Sequence, residues 1–71
     1  MYEYNETIKI KSDAPTEFYP NSFGVVISSF EVSNEEDMKK YNVSEGTTIY
    51  IIELSDSGLD ITVPEFYTEK V

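Results

Sequence analysis

The side chains able to do chemistry in this chain are carboxylates and tyrosines, and little else. There is no histidine and no cysteine. The commonest general base and the most reactive nucleophile are therefore missing, disulfides are excluded, and so are the usual zinc ligands. Neither a glycine-rich phosphate loop nor a Gly-x-Ser-x-Gly turn occurs. The carboxylates gather in two places. Glu35-Glu36-Asp37 is an acidic run, which helix capping and dipole compensation explain. Asp56, Ser57 and Asp60 form a looser group, too short for an EF-hand loop and lacking its terminal glutamate, so a turn accounts for it. No enzymatic activity, no cofactor and no dedicated metal site is expected. Asn5-Glu6-Thr7 and Asn42-Val43-Ser44 match the glycosylation pattern, but no secretory signal is visible to give them meaning.

What remains is recognition. Fourteen acids oppose five lysines and no arginine, for a net charge of −9. Direct binding to nucleic acid needs Lys and Arg against phosphate, so it is not expected. An anionic membrane surface is disfavoured for the same reason. A basic protein partner is favoured, because a field of one sign steers the opposite charge, although acidity also serves solubility. Tyr2, Tyr4, Phe18, Tyr19, Tyr41, Phe66 and Tyr67 fall near the ends of apolar stretches or in turn-rich segments. Tyrosine there either closes a small core or anchors an interface. The expected partner-binding residues are Glu35, Glu36, Asp37, Asp56 and Asp60, with Tyr41 and Tyr67 as anchors.

These residues must be held by a small scaffold. At 71 residues the chain is one domain, residues 1–71, near the lower limit for folding alone. No apolar run is long enough to span a bilayer, and the expected location is the cytoplasm, as a monomer. Glu6 to Lys11 alternates Ile8 and Ile10 with polar residues, which marks a half-buried strand. Ser12 to Ser22, with Pro15, Pro20 and Asn21, is a loop. Phe23 to Val32 is rich in β-branched and aromatic residues and forms a second strand. Gly24 suggests a bend or a close backbone approach, and Ser28-Ser29 a bulge. Ser33 to Glu36 fits a capping box, so Asn34 to Tyr41 is a short helix, supported by Glu35–Lys39 and Glu36–Lys40 spacings. Met38 and Tyr41 share the face that docks on the sheet. Thr47 to Leu54 and Leu59 to Val63 flank Ser55-Asp56-Ser57-Gly58, a hairpin. Pro64 ends the ladder, Glu65 to Tyr67 is one 3₁₀ turn, and Thr68 to Val71 is a last strand. The expected core is Ile8, Ile10, Val26, Tyr50, Ile52, Leu54, Leu59, Ile61 and Val63.

This order of elements is that of an all-β, small SH3-like barrel with one short helix in a loop insert. The C-terminal stretch YIIELSDSGLDITVPEFYTEKV resembles the ending of many SH3-like barrels of bacterial proteins: an aromatic-x-aliphatic strand, an acidic turn, a strand closing in Val-Pro-Glu and a short final strand. With ETIKI at the start and the glycine-led FGVV, the chain resembles small SH3-like immunity proteins of bacterial polymorphic toxin systems. The insert Ser33 to Gly46 is longer than that pattern needs, and the second strand lacks its paired glycines. The resemblance implies an inhibitor that masks a cognate basic toxin, such as a nuclease. Alternatives are a phage- or plasmid-type inhibitor mimicking nucleic-acid charge, or a small structural or regulatory adaptor. The chain has no tryptophan, so the proline-rich-peptide mode of eukaryotic SH3 domains is not expected.

Overall fold

The computed structural model describes residues 2–71. They form one antiparallel sheet of five strands and one short helix. The strands are β1 (Thr7–Ile10), β2 (Phe23–Glu31), β3 (Thr48–Leu54), β4 (Asp60–Pro64) and β5 (Thr68–Lys70), with α1 (Glu35–Tyr41) between β2 and β3. The order across the sheet is β4-β3-β2-β1-β5, so the sheet is not closed, and β4 and β5 are its two edges. The all-β class follows the sequence pattern, and among the described residues no helix is long and apolar enough to cross a membrane.

One face of the sheet carries the main core. Ile8, Ile10, Val26, Tyr50, Ile52, Leu54, Ile61 and Val63 are buried together, with Ala14 from the loop after β1 closing over them. Leu59 departs from expectation. It keeps the alternation of Ile61 and Val63 but precedes β4 at the hairpin tip, past the end of the packed face, and stands 45% exposed. Its backbone still serves the turn: Leu54 N–H donates to its carbonyl at 2.8 Å.

The opposite face carries a smaller cluster that the alternation did not predict. Val32 and Ile49 are fully buried outside the main core. Between Val26 and Ser28 the β2–β3 register slips by one residue, with Ile27 as the extra residue of a bulge. Before the bulge, Val26 lies opposite Ile52 on the core face. After it, Phe30 lies opposite Ile49 on the other face. Tyr41 of α1 packs there on Phe30, with ring centroids 5.9 Å apart. A helix of barely two turns is held by such packing more than by propensity.

The helix begins one residue later than the capping-box reading placed it. Asn34, not Ser33, is the N-cap, its Oδ1 accepting from Asp37 N–H at 2.8 Å. Neither lysine of α1 closes on its i−4 glutamate; among the described residues the ion pair formed is Lys70 with Glu6, at 4.0 Å. Gly24 is a point of close approach. A Cβ there would stand 2.5 Å from Ile52 Cγ2 and 2.7 Å from the Glu53 carbonyl oxygen.

Candidate functional site

A surface groove of about 320 Å³ lies beside β4 and the end of α1. It is built from four segments distant in sequence. Pro15, Glu17 and Phe18 form one wall, Lys40, Tyr41 and Asn42 another, and Thr62, Phe66 and Tyr67 complete it.

Local sequence explains why each segment presents its side chains there. Pro15, at φ −54°, starts a single 3₁₀ turn over Thr16–Phe18, and Tyr19 leaves it in the left-handed region. That sharp reversal leaves Phe18 projecting toward the second 3₁₀ turn, where its ring lies 5.6 Å from that of Tyr67. Asn42 ends α1 in the left-handed conformation, which asparagine tolerates better than most residues, and its N–H returns to the Met38 carbonyl. Tyr41 is thus the last helical residue, poised at the groove. Lys40 Nζ lies 5.3 Å from the centroid of its ring, within cation–π range. Pro64 has no N–H to extend β4; its fixed φ opens the turn Glu65–Tyr67. Phe66 and Tyr67 then meet edge to face at 4.6 Å. Phe66 remains half exposed, whereas Phe18 and Tyr67 pack their inner sides on the core.

A polar cluster fixes the second turn from below. The buried Tyr50 hydroxyl donates to Glu65 Oε2 at 2.7 Å and accepts from Tyr2 N–H at 3.1 Å. Thr68 Oγ1 donates to the Glu65 carbonyl at 2.6 Å and meets the Tyr2 hydroxyl at 3.2 Å. Burial, reinforced by the bond to Glu65, pushes the Tyr50 hydroxyl up to about 12. The phenol therefore stays neutral and acts as a strut.

Of the residues expected to bind a partner, Tyr41 and Tyr67 come together in the groove. Asp60 stands beside it. It is two residues from Thr62 on β4, on the same face and about 7 Å along the strand. Glu53 is directly opposite Asp60, and Asp56 is in the turn beyond, so the hairpin tip is acidic. No lysine occurs between Gly46 and Pro64 to offset it. Glu35, Glu36 and Asp37 sit in the first turn of α1, about 6 to 9 Å of helix away from Tyr41. The acids thus flank the groove and do not line it; its own charges are Glu17 and Lys40. Sequence reasoning placed Phe18 and Phe66 among exposed-segment aromatics but did not join them to Tyr41 and Tyr67, because four separate segments meet only in the fold. Among the described residues, no three carboxylates gather so as to hold a metal ion.

No family model, characterised protein or solved structure matches this chain.

Proposed function

We propose that the chain is an acidic protein-binding domain that docks a basic protein partner on the aromatic groove. The observation that carries this reading is the convergence of Phe18, Tyr41, Phe66 and Tyr67 from separate segments on one concave surface. Aromatic side chains in such a setting supply desolvated contact area and slow release. The carboxylates at Glu35–Asp37 and Asp56–Asp60, within a net charge of −9, accelerate encounter with a positive surface.

The fold is taken as an SH3-like barrel left open between β4 and β5. The strand order and the 3₁₀ turn before the last strand support it. With the resemblance of the YIIELSDSGLDITVPEFYTEKV stretch, the role that fits best is that of an immunity protein masking a cognate toxin, acting in the cytoplasm. Mimicry of nucleic-acid charge gains no added support, since the acids lie in two groups at the flanks of an aromatic surface.

Surface-binding kinetics against the product of the adjacent gene test this reading. Association slows as salt rises from low to physiological, where the Debye length is about 8 Å, and slows further with Glu35, Glu36 and Asp37 neutralised to glutamine or asparagine. Tyr41→Ala and Phe66→Ala each speed dissociation, by about 10- to 30-fold if they act as hot spots. Kinetics indifferent to salt, to neutralisation and to both aromatic replacements defeat the proposal.

A further inference from the structure

The direction of the β4 peptide groups follows from two hydrogen bonds. Leu54 N–H donates to the Leu59 carbonyl at 2.8 Å, while Ser55 N–H donates to the Phe23 carbonyl at 2.9 Å. Leu54, Ile52 and Tyr50 therefore turn their peptide groups toward β4, and their partners Leu59, Ile61 and Val63 turn theirs toward β3. The intervening Asp60 and Thr62 aim N–H and C=O away from the sheet. Pro64 fits this alternation, since it stands opposite Ile49 at a position where no donor to β3 is needed. The first 3₁₀ turn packs near β4, but among the described residues it makes no backbone hydrogen bond to Asp60 or Thr62.

We propose that an extended, basic segment of the partner adds to the sheet along β4, pairing its backbone with Asp60 and Thr62. This deepens the groove reading and rests on it. Three observations select this occupant. Among the described residues the outward peptide groups of Asp60 and Thr62 have no backbone partner. Thr62 belongs both to that edge and to the groove, with Phe18 and Phe66 close by. The charge at the hairpin end of that edge is negative, from Glu53, Asp56 and Asp60. An added strand repeats its side-chain direction every second residue. The partner segment thus carries a lysine or arginine over Asp60 and, two positions away, an apolar residue entering the groove beside Thr62. A second copy of this chain is the poorer occupant, because it brings its own acids and net charge of −9 to the same edge.

The experiment titrates the isotope-labelled protein with a capped peptide of repeating Lys-Thr-Val-Thr, which sets lysine and valine two positions apart on one face, followed by amide NMR and hydrogen exchange. Two further peptides carry N-methyl groups, one on each alternate set of residues, so that only one strand edge is blocked in each. The Asp60 and Thr62 amides shift and become protected from exchange. One methylated peptide loses about tenfold or more in affinity, the worth of a single well-formed hydrogen bond, and the other binds as before. Thr62→Pro, which removes an outward N–H, abolishes the protection while the Tyr2–Tyr50 contacts persist. The methylated pair carries the test if that variant fails to fold. Equal binding by both methylated peptides, with Phe18, Tyr41 and Phe66 still shifting, overturns strand addition and leaves groove docking standing. No shift at the edge or in the groove overturns both, and protection that rises with protein concentration alone assigns the edge to self-association and overturns the proposal.

Discussion

Tyr50 shows how one residue ties the core to the binding surface. Its ring is fully buried, and its hydroxyl joins Tyr2 to Glu65 in the turn that presents Phe66 and Tyr67. Ionising it would place a phenolate next to the Glu65 carboxylate in a desolvated site. Because its folded-state value is raised from 10 to about 12, the stability it contributes is fully present below pH 10. That stability is lost as pH climbs from 10 to 12, on the order of 2–3 kcal/mol. Tyr50→Phe is expected to cost about 1–2 kcal/mol at neutral pH, since Glu65 and the Tyr2 N–H lose their partner. It also flattens the alkaline limb. Denaturant unfolding of both proteins from pH 7 to 12 checks this; parallel losses above pH 10 would remove Tyr50 as the cause. Period-two patterning placed Tyr50 in the core, but nothing in the sequence linked it to residues 2 and 65, because such bonds carry no spacing signature.

At the scale of elements, the sequence was most legible where local chemistry leaves one solution. The Ser55–Gly58 turn, the stop at Pro64 and the 3₁₀ turn after it all stand where turn residues put them. The helix was legible except for its cap, where Ser33 and Asn34 are adjacent residues of similar capping power. Burial at strand ends was not legible, as Leu59 shows, because alternation reports direction and says nothing of where the opposing surface stops. Gly24 was recognisable as a special position, and the reason is steric. We expect Gly24→Ala to destabilise the fold by about 1–3 kcal/mol, since Ile52 and the Glu53 carbonyl must both yield. Thermal melts of that variant beside Val25→Ala, at an adjacent half-buried position, separate this clash from ordinary loss of side chain. A Gly24→Ala melt equal to wild type contradicts the close approach.

Across the whole molecule, charge and packing pull in opposite directions. Glu53 and Asp60 face each other as like charges across the β3–β4 ladder, an arrangement that destabilises a sheet. The Lys70–Glu6 ion pair, at 4.0 Å, does little against a net charge of −9. Added monovalent salt should therefore raise the melting temperature while it slows partner association, two responses of opposite sign to the same screening. A melting series from about 10 mM to about 0.3 M salt, over which the Debye length shrinks from about 30 Å to about 6 Å, reads the first. A melting temperature that falls or stays flat shows that self-repulsion is not a significant cost. The acidity was plain in the composition, but its distribution around the groove was not, because it depends on which strands meet.

The bulge at Ile27 gives this small sheet a tolerance to changes in gene length. Ordinarily, losing one codon inside a strand turns every later side chain to the wrong face. Here the ladder is already one residue out of step, with Val26 opposite Ile52 and Ser28 opposite Ile51. Removing the Ile27 codon leaves those partners adjacent in an unbroken ladder, with Phe30 still opposite Ile49 on the face where Tyr41 packs. Such a deletion preserves the identity of both faces and changes only the bend between them.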